Sequence, residues 1–174
     1  MMDDGDGPLL ERGRGAGEAG LRPARQGSVA DVLQNVREAI DSASGRDEIL
    51  RRAVRALSEG RARYTWTGIY LLEGETLVLH NQVGLPTAHL RIPIGQGICG
   101  LAARQKKTVV VPDVGKDPRY LACSLKTQSE IVVPIFKSGE VVGEIDVDSD
   151  LPDAFDQEDR RLLEEAALLI GEAI

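Results

Sequence analysis

The chain has 174 residues, 42% of them apolar, which is enough for one domain with a true core. Acidic residues outnumber basic ones 28 to 21, giving a formal net charge of −7; this argues against nucleic-acid binding, where a basic surface provides most of the affinity. No stretch approaches the roughly 18 apolar residues that cross a membrane, and the opening MMDDGDGPLLERGRG lacks the basic-then-apolar layout of a signal peptide, so the expected location is the reducing cytoplasm.

Residues 1–27 are rich in Gly, Arg, Glu and Asp, and are expected to form a disordered tail ahead of a domain over 28–174. Ser28 and Asp31 form a capping-box pattern, and Val29, Val32, Leu33, Val36 and Ile40 recur at helical spacing behind it. After Gly45, a second helix carries an apolar stripe of Ile49, Leu50, Ala53, Val54 and Leu57, with Gly60 as its expected C′ residue. The period then changes to that of strands. Tyr64–Leu72 and Thr76–Asn81 flank a hairpin at Glu73-Gly74-Glu75, and Arg91–Ile94 is a short strand or extended arm. Ile98–Gln105 is a short helix, Thr108–Val111 a strand, and 112–128 a long loop. Glu130–Phe136 and Val141–Asp148 form a second hairpin around Lys137-Ser138-Gly139-Glu140. A closing helix over Asp156–Ile174 puts Leu162, Leu163, Ala166, Leu169 and Ile170 on one face. This order implies an α+β domain. Its antiparallel sheet carries the N- and C-terminal helices on one face and a loop-covered pocket on the other.

Four features have chemical content. Strand alternation puts Glu144, Asp146 and Asp148 on one face, with Ile145 and Val147 on the other. That face is either solvent-exposed or a pocket floor that recognises a cation such as an ammonium group; carboxylates so close repel until a cation or proton relieves them. The hairpin brings Glu130, at the start of its strand, beside Asp146 and Asp148. Trp66, Gly68 and Tyr70 share a face of the first strand, either as core or as a pocket wall whose indole N–H and phenol are polar handles. Cys99 and Cys123 are the two cysteines. A reducing compartment favours free, redox-active or buried thiols over a structural disulfide. Cys99 stands at a helix N-terminus, which favours a thiolate, although an inert buried thiol also fits it. Cys123 lies in the long loop. Gly95, Gly97 and Gly100 match G-x-G-x-x-G, but no parallel βαβ unit surrounds them, so no nicotinamide or flavin cofactor is expected. His80, His89 and the cysteines lack a recognised zinc spacing, so no metal is expected.

The segment from about Tyr64 to Phe155 resembles the free methionine-(R)-sulfoxide reductases, a catalytic branch of the GAF-domain superfamily. The resemblance rests on Trp-Thr-Gly-Ile-Tyr (66–70), Arg-Ile-Pro-Ile-Gly-Gln-Gly-Ile-Cys-Gly (91–100), Val-Val-Pro-Asp-Val (110–114), Ala-Cys-Ser (122–124), Ser-Glu-Ile-Val-Val-Pro-Ile (129–135) and Asp-Val-Asp-Ser (146–149). The Gly-x-Gly element is common to many GAF domains; its combination with Cys123, Glu130, Asp146 and Asp148 is more specific. The resemblance implies a GAF-like sheet and the catalytic thiolate at Cys123, with a second family cysteine at Cys99. It also implies substrate contacts from Trp66, Tyr70, Glu130, Asp146 and Asp148. A third family cysteine, the usual resolving partner, falls at His89, and imidazole cannot form a disulfide. His89 either fills a surface position or favours the Cys123 thiolate.

The implied activity is reduction of the free amino acid methionine-(R)-sulfoxide, with Glu130 as an acid that protonates the sulfoxide oxygen. Cys99, thioredoxin or a small thiol would then resolve oxidised Cys123. A GAF module that binds a small ligand without catalysis is the main alternative. Pairing of two chains through the terminal helices is a further expectation, with neither nucleic acid nor membrane as partner.

Overall fold

The computed structural model describes residues 27–121 and 126–174. The expected tail therefore falls almost wholly outside the described residues, and so does Cys123. Helix α1 (Val29–Asp41) starts from the expected capping box: the Ser28 hydroxyl accepts from the Asp31 N–H, and the Asp31 carboxylate accepts from the Ser28 N–H. Helix α2 (Arg46–Gly60) buries Ile49, Leu50, Ala53, Val54 and Leu57, the whole stripe read from the sequence.

Gly60 departs from expectation. It is the last residue inside α2, and its φ is not in the left-handed region. A Cβ at this position would sit 2.6 and 2.7 Å from the two Cγ atoms of Val32. Close approach of α1 to α2, rather than a helix-ending turn, is what requires glycine there.

Strands β1 (Trp66–Glu73), β2 (Thr76–Val83), β3 (Arg91–Pro93), β4 (Val109–Val111), β5 (Ser129–Lys137) and β6 (Glu140–Ser149) make one sheet. Their order is β3-β2-β1-β6-β5-β4, and every neighbouring pair is antiparallel. The tight β5–β6 turn has positive φ at both Ser138 (52°) and Gly139 (83°), the twist that two-residue hairpins favour. Helix α3 (Gly97–Gln105) follows β3, and helix α4 (Gln157–Ala173) ends the fold. The α+β expectation holds.

The two faces of the sheet are covered differently. On one, α1, α2 and α4 bury Val36, Leu50, Leu57, Leu162, Leu163 and Ile170 against Ile69, Ile131, Val133, Ile145 and Val147. Each such aliphatic side chain contributes about 1.5–3 kcal/mol when fully buried, so this layer dominates stability. Asp159 locks α4 to the sheet: it is fully buried, accepts from the Tyr64 hydroxyl at 2.8 Å and pairs with Arg63. On the other face α3 packs against Trp66, Tyr70 and Val132. Among the described residues no helix is long and apolar enough to cross a membrane.

Candidate active site

Three central strands place the candidate residues in rows. Trp66 on β1 pairs with Asp148 on β6, which pairs with Glu130 on β5. The next row on the same face is Gly68, Asp146 and Val132; the third is Tyr70, Glu144 and Pro134. Directly opposed residues in an antiparallel sheet point to one side, so four carboxylates and two aromatic rings share the face that α3 covers. The alternation expected for β6 is therefore correct, and its carboxylates floor a buried site instead of a solvated surface. Glu144 is fully buried, Asp146 and Asp148 are 1% and 2% exposed, and Glu130 is 4% exposed.

Gly68 makes room for Trp66. A Cβ on Gly68 would lie 2.3 Å from Cη2 of the indole, so the ring lies across the glycine backbone, beside Asp146 in register. The polar tips of the aromatic residues are engaged by the β2–β3 loop. The Trp66 indole N–H donates to the Leu85 carbonyl and the Tyr70 hydroxyl to the His89 carbonyl, each at 2.9 Å. Through these bonds both groups position the rings and hold the loop. His89 is half-buried in that loop, and its N–H donates to Thr87 Oγ1 at 3.1 Å.

Cys99, on the first turn of α3, points into the carboxylates. Its thiol donates to Asp146 Oδ2 at 3.3 Å and lies 3.9 Å from Glu130 Oε1. Of the two readings open for Cys99, a helix-favoured thiolate and a buried thiol, its surroundings favour the buried one. Burial pushes the Cys99 thiol well above its ordinary value, and Asp146, Glu144 and Glu130 add to the shift. The partial charge of one short helix is outweighed by desolvation and by nearby acids. The Gly95–Gly100 segment has a structural use, since a Cβ on Gly100 would stand 2.5 Å from the Pro93 carbonyl oxygen.

The acids themselves are strongly perturbed. Burial, followed by the field of Asp146, Asp148 and Glu144, holds the Glu130 carboxyl well above the usual carboxylate range. Burial and then Asp146 do the same to Glu144 and Asp148. Burial raises Asp146 to about 7. At neutral pH the cluster therefore retains protons instead of carrying four negative charges. Among the described residues, Glu130 Oε2 and Asp146 Oδ1 are buried without a hydrogen-bond partner. Buried acceptors in that state are uncommon in folded proteins and mark a site built for a ligand or for chemistry.

A cavity of about 280 Å³ opens at the Asp148 end of the rows, between Trp66, Leu85, Pro86, Thr127 and Asp150. Its size suits a small ligand, being close to the lower bound of about 300 Å³ for ligand pockets. A larger hollow of about 860 Å³ runs between Val110–Asp113 and Lys116–Arg119, but none of the buried carboxylates lines it. Thr127, which the sequence did not single out, donates to Asp148 Oδ2 at 3.4 Å. Glu144, which strand alternation groups with Asp146 and Asp148 as a candidate cation-binding floor, is buried on that face.

The GAF-domain family profile matches residues 45–174. GAF domain-containing protein A of Dictyostelium discoideum is 40% identical over 121 residues, which are 70% of this chain and 76% of that protein. The solved structure of a type II free methionine-R-sulfoxide reductase from Thermoplasma acidophilum is 41% identical. It superposes with a TM-score of 0.71 over 74% of this chain and 94% of that one. A free methionine-R-sulfoxide reductase from Neisseria meningitidis, solved in complex with its substrate, is 33% identical with a TM-score of 0.79, covering 83% of this chain and 87% of that one. The chain belongs to the GAF-domain family, in the branch of the free methionine-(R)-sulfoxide reductases.

Proposed function

We propose that the protein reduces free methionine-(R)-sulfoxide to methionine, with the thiol of Cys123 as nucleophile. One observation carries this reading: Glu130, Asp146 and Asp148 converge, buried, beside the indole of Trp66. Such a cluster suits the ammonium of a free amino acid, whose charge takes over from the protons that otherwise relieve the carboxylates. Likeness to the reductases described above supports the same substrate.

In the proposed reaction, Asp146 and Asp148 hold the ammonium and Trp66 contacts the S-methyl end. Tyr70 packs in the same layer and fixes the loop. Cys123 attacks the sulfoxide sulfur as a thiolate. Glu130, kept protonated by burial, gives a proton to the sulfoxide oxygen. The sulfur–oxygen bond breaks and the hydroxyl passes to Cys123. Methionine sulfur gains two electrons, and Cys123 becomes a sulfenic acid. An external thiol, either thioredoxin or a small thiol, then attacks Cys123 and releases water; a second thiol restores Cys123 as a disulfide leaves. Cys99, buried and held as a neutral thiol, is poorly suited to be the attacking thiol of this step.

The test is methionine formation with dithiothreitol and with a thioredoxin system, in wild type, Cys123→Ser and Cys99→Ser. Cys123→Ser should be inactive, and Cys99→Ser should retain turnover with both reductants. Loss of only the thioredoxin-driven turnover in Cys99→Ser would make Cys99 the resolving thiol. A folded but inactive wild type would leave a ligand-binding GAF module. For assembly we propose pairing of two chains along α1 and α4, where Leu168 is 57% exposed; a monomeric sedimentation profile would remove that proposal.

A further inference from the structure

Cys99 and two carboxylates are arranged as ligands are arranged around a metal ion. Among the described residues, one atom each from Cys99, Glu130 and Asp146 lies within 4.8 Å of the other two. The Cys99 sulfur is 3.3 Å from Asp146 Oδ2 and 3.9 Å from Glu130 Oε1. A tetrahedral zinc ion, with bonds of about 2.3 Å to sulfur and about 2.0 Å to oxygen, sets its sulfur and oxygen ligands about 3.5 Å apart. The observed sulfur–oxygen separations bracket that value.

A second observation points to a ligand independently of the spacing. Glu130 Oε2 and Asp146 Oδ1 are buried beside this thiol without hydrogen-bond partners. Glu144 is fully buried and lies against the Cys99 thiol. These atoms are acceptors with lone pairs to spare, gathered where water is largely excluded. A cation satisfies them together, and a divalent one offsets more of the repulsion than a single ammonium does.

We propose that Cys99, Glu130 and Asp146 form an inhibitory site for a thiophilic divalent cation of the zinc class. The sulfur donor selects such ions over magnesium and calcium, which prefer oxygen alone. Glu144 stands beside the ligands, as a fourth donor or as the group that orients Cys99. On binding, the S–H bond of Cys99 breaks and a sulfur–metal bond forms. The thiol proton, with any proton on Glu130 or Asp146, leaves to solvent, and nothing is oxidised or reduced. The ion occupies carboxylates that the proposed function gives to the ammonium, so ion and amino acid exclude each other. Only this exclusion rests on the functional reading.

The experiment uses the full chain as Cys123→Ser, which leaves Cys99 as the sole thiol. Cadmium is titrated, and the ultraviolet thiolate-to-cadmium charge-transfer band is followed, with zinc and magnesium as competitors. One saturable site is expected, displaced by zinc and not by magnesium. The band should vanish when Cys99→Ser is added. Asp146→Asn or Glu130→Gln, each shown folded by circular dichroism, should weaken affinity about tenfold or more. A folded protein without a saturable band overturns the proposal. So does a band that survives both carboxylate changes unaltered, since that would be a lone thiol binding metal. A band unchanged by free methionine-(R)-sulfoxide at saturation, read from the fluorescence of Trp66, the single tryptophan, would refute the exclusion. Failure of free methionine-(R)-sulfoxide to bind at all would refute the functional reading and leave the ion site standing.

Discussion

Replacing Asp146 by asparagine should stabilise the ligand-free protein at neutral and alkaline pH while removing its affinity for the amino acid. Asp146 is 1% exposed, and burial raises its pKa from 3.8 to about 7. Between those two values the unfolded chain ionises this group and the folded chain keeps it protonated. The folded state then binds more protons than the unfolded one, so stability falls as pH rises through this window. The shift, 7 − 3.8 = 3.2 pH units, sets a ceiling of about 4 kcal/mol at pH 7 and above. Protons are shared with Glu130 and Asp148, which brings the expected gain to about 2 kcal/mol. Asparagine retains an oxygen for the Cys99 thiol, so little packing is lost. Urea unfolding of wild type and variant, followed by circular dichroism at about pH 8 and about pH 4, reads the difference. The gain should appear at the higher pH and vanish at the lower. A variant no more stable than wild type at about pH 8, or equally favoured at both pH values, would refute the assignment of the buried charge.

Gly68→Ala should drive the Trp66 ring off its seat, because the new Cβ would lie 2.3 Å from Cη2. The expected result is a loss of about 1–3 kcal/mol of stability, a shifted tryptophan emission and weaker methionine binding; unchanged emission with normal binding would contradict the ring position. Asp159→Ala should cost about 3–5 kcal/mol, since it leaves Arg61, 4% exposed, without a buried counter-charge. Thermal unfolding measures this, and a variant within about 1 kcal/mol of wild type would show that the cluster contributes little.

Local pattern in the sequence reached some levels of this structure and not others. The period of two in Glu144-Ile145-Asp146-Val147-Asp148 identified which residues share a face, because alternation follows from strand geometry alone. It did not tell which face is covered. That depends on α3 and on the β2–β3 loop, whose path is set by contacts such as Trp66 Nε1 to the Leu85 carbonyl. The same limit applies to Gly60, where a glycine after a helical stripe suits a helix end, but a side chain of another helix, Val32, decides the matter. Cys99 shows the strongest conflict. Its neighbours in sequence place it at a helix start, which favours a thiolate, whereas acids 31 and 47 residues away lie beside it in space and reverse the sign. Glu144 is a further case: alternation placed it correctly, but neither the resemblance nor local pattern said that it would be buried against a thiol.

The central claim is that the carboxylates recognise the ammonium of a free amino acid. Its most direct test compares reduction of free methionine-(R)-sulfoxide with that of its N-acetyl derivative, which keeps the sulfoxide and lacks the charge. The account predicts turnover of the free amino acid and almost none of the acetylated form at equal concentration. Comparable rates on the two would contradict it, since the buried cluster of Glu130, Asp146 and Asp148 would then have no part in choosing the substrate.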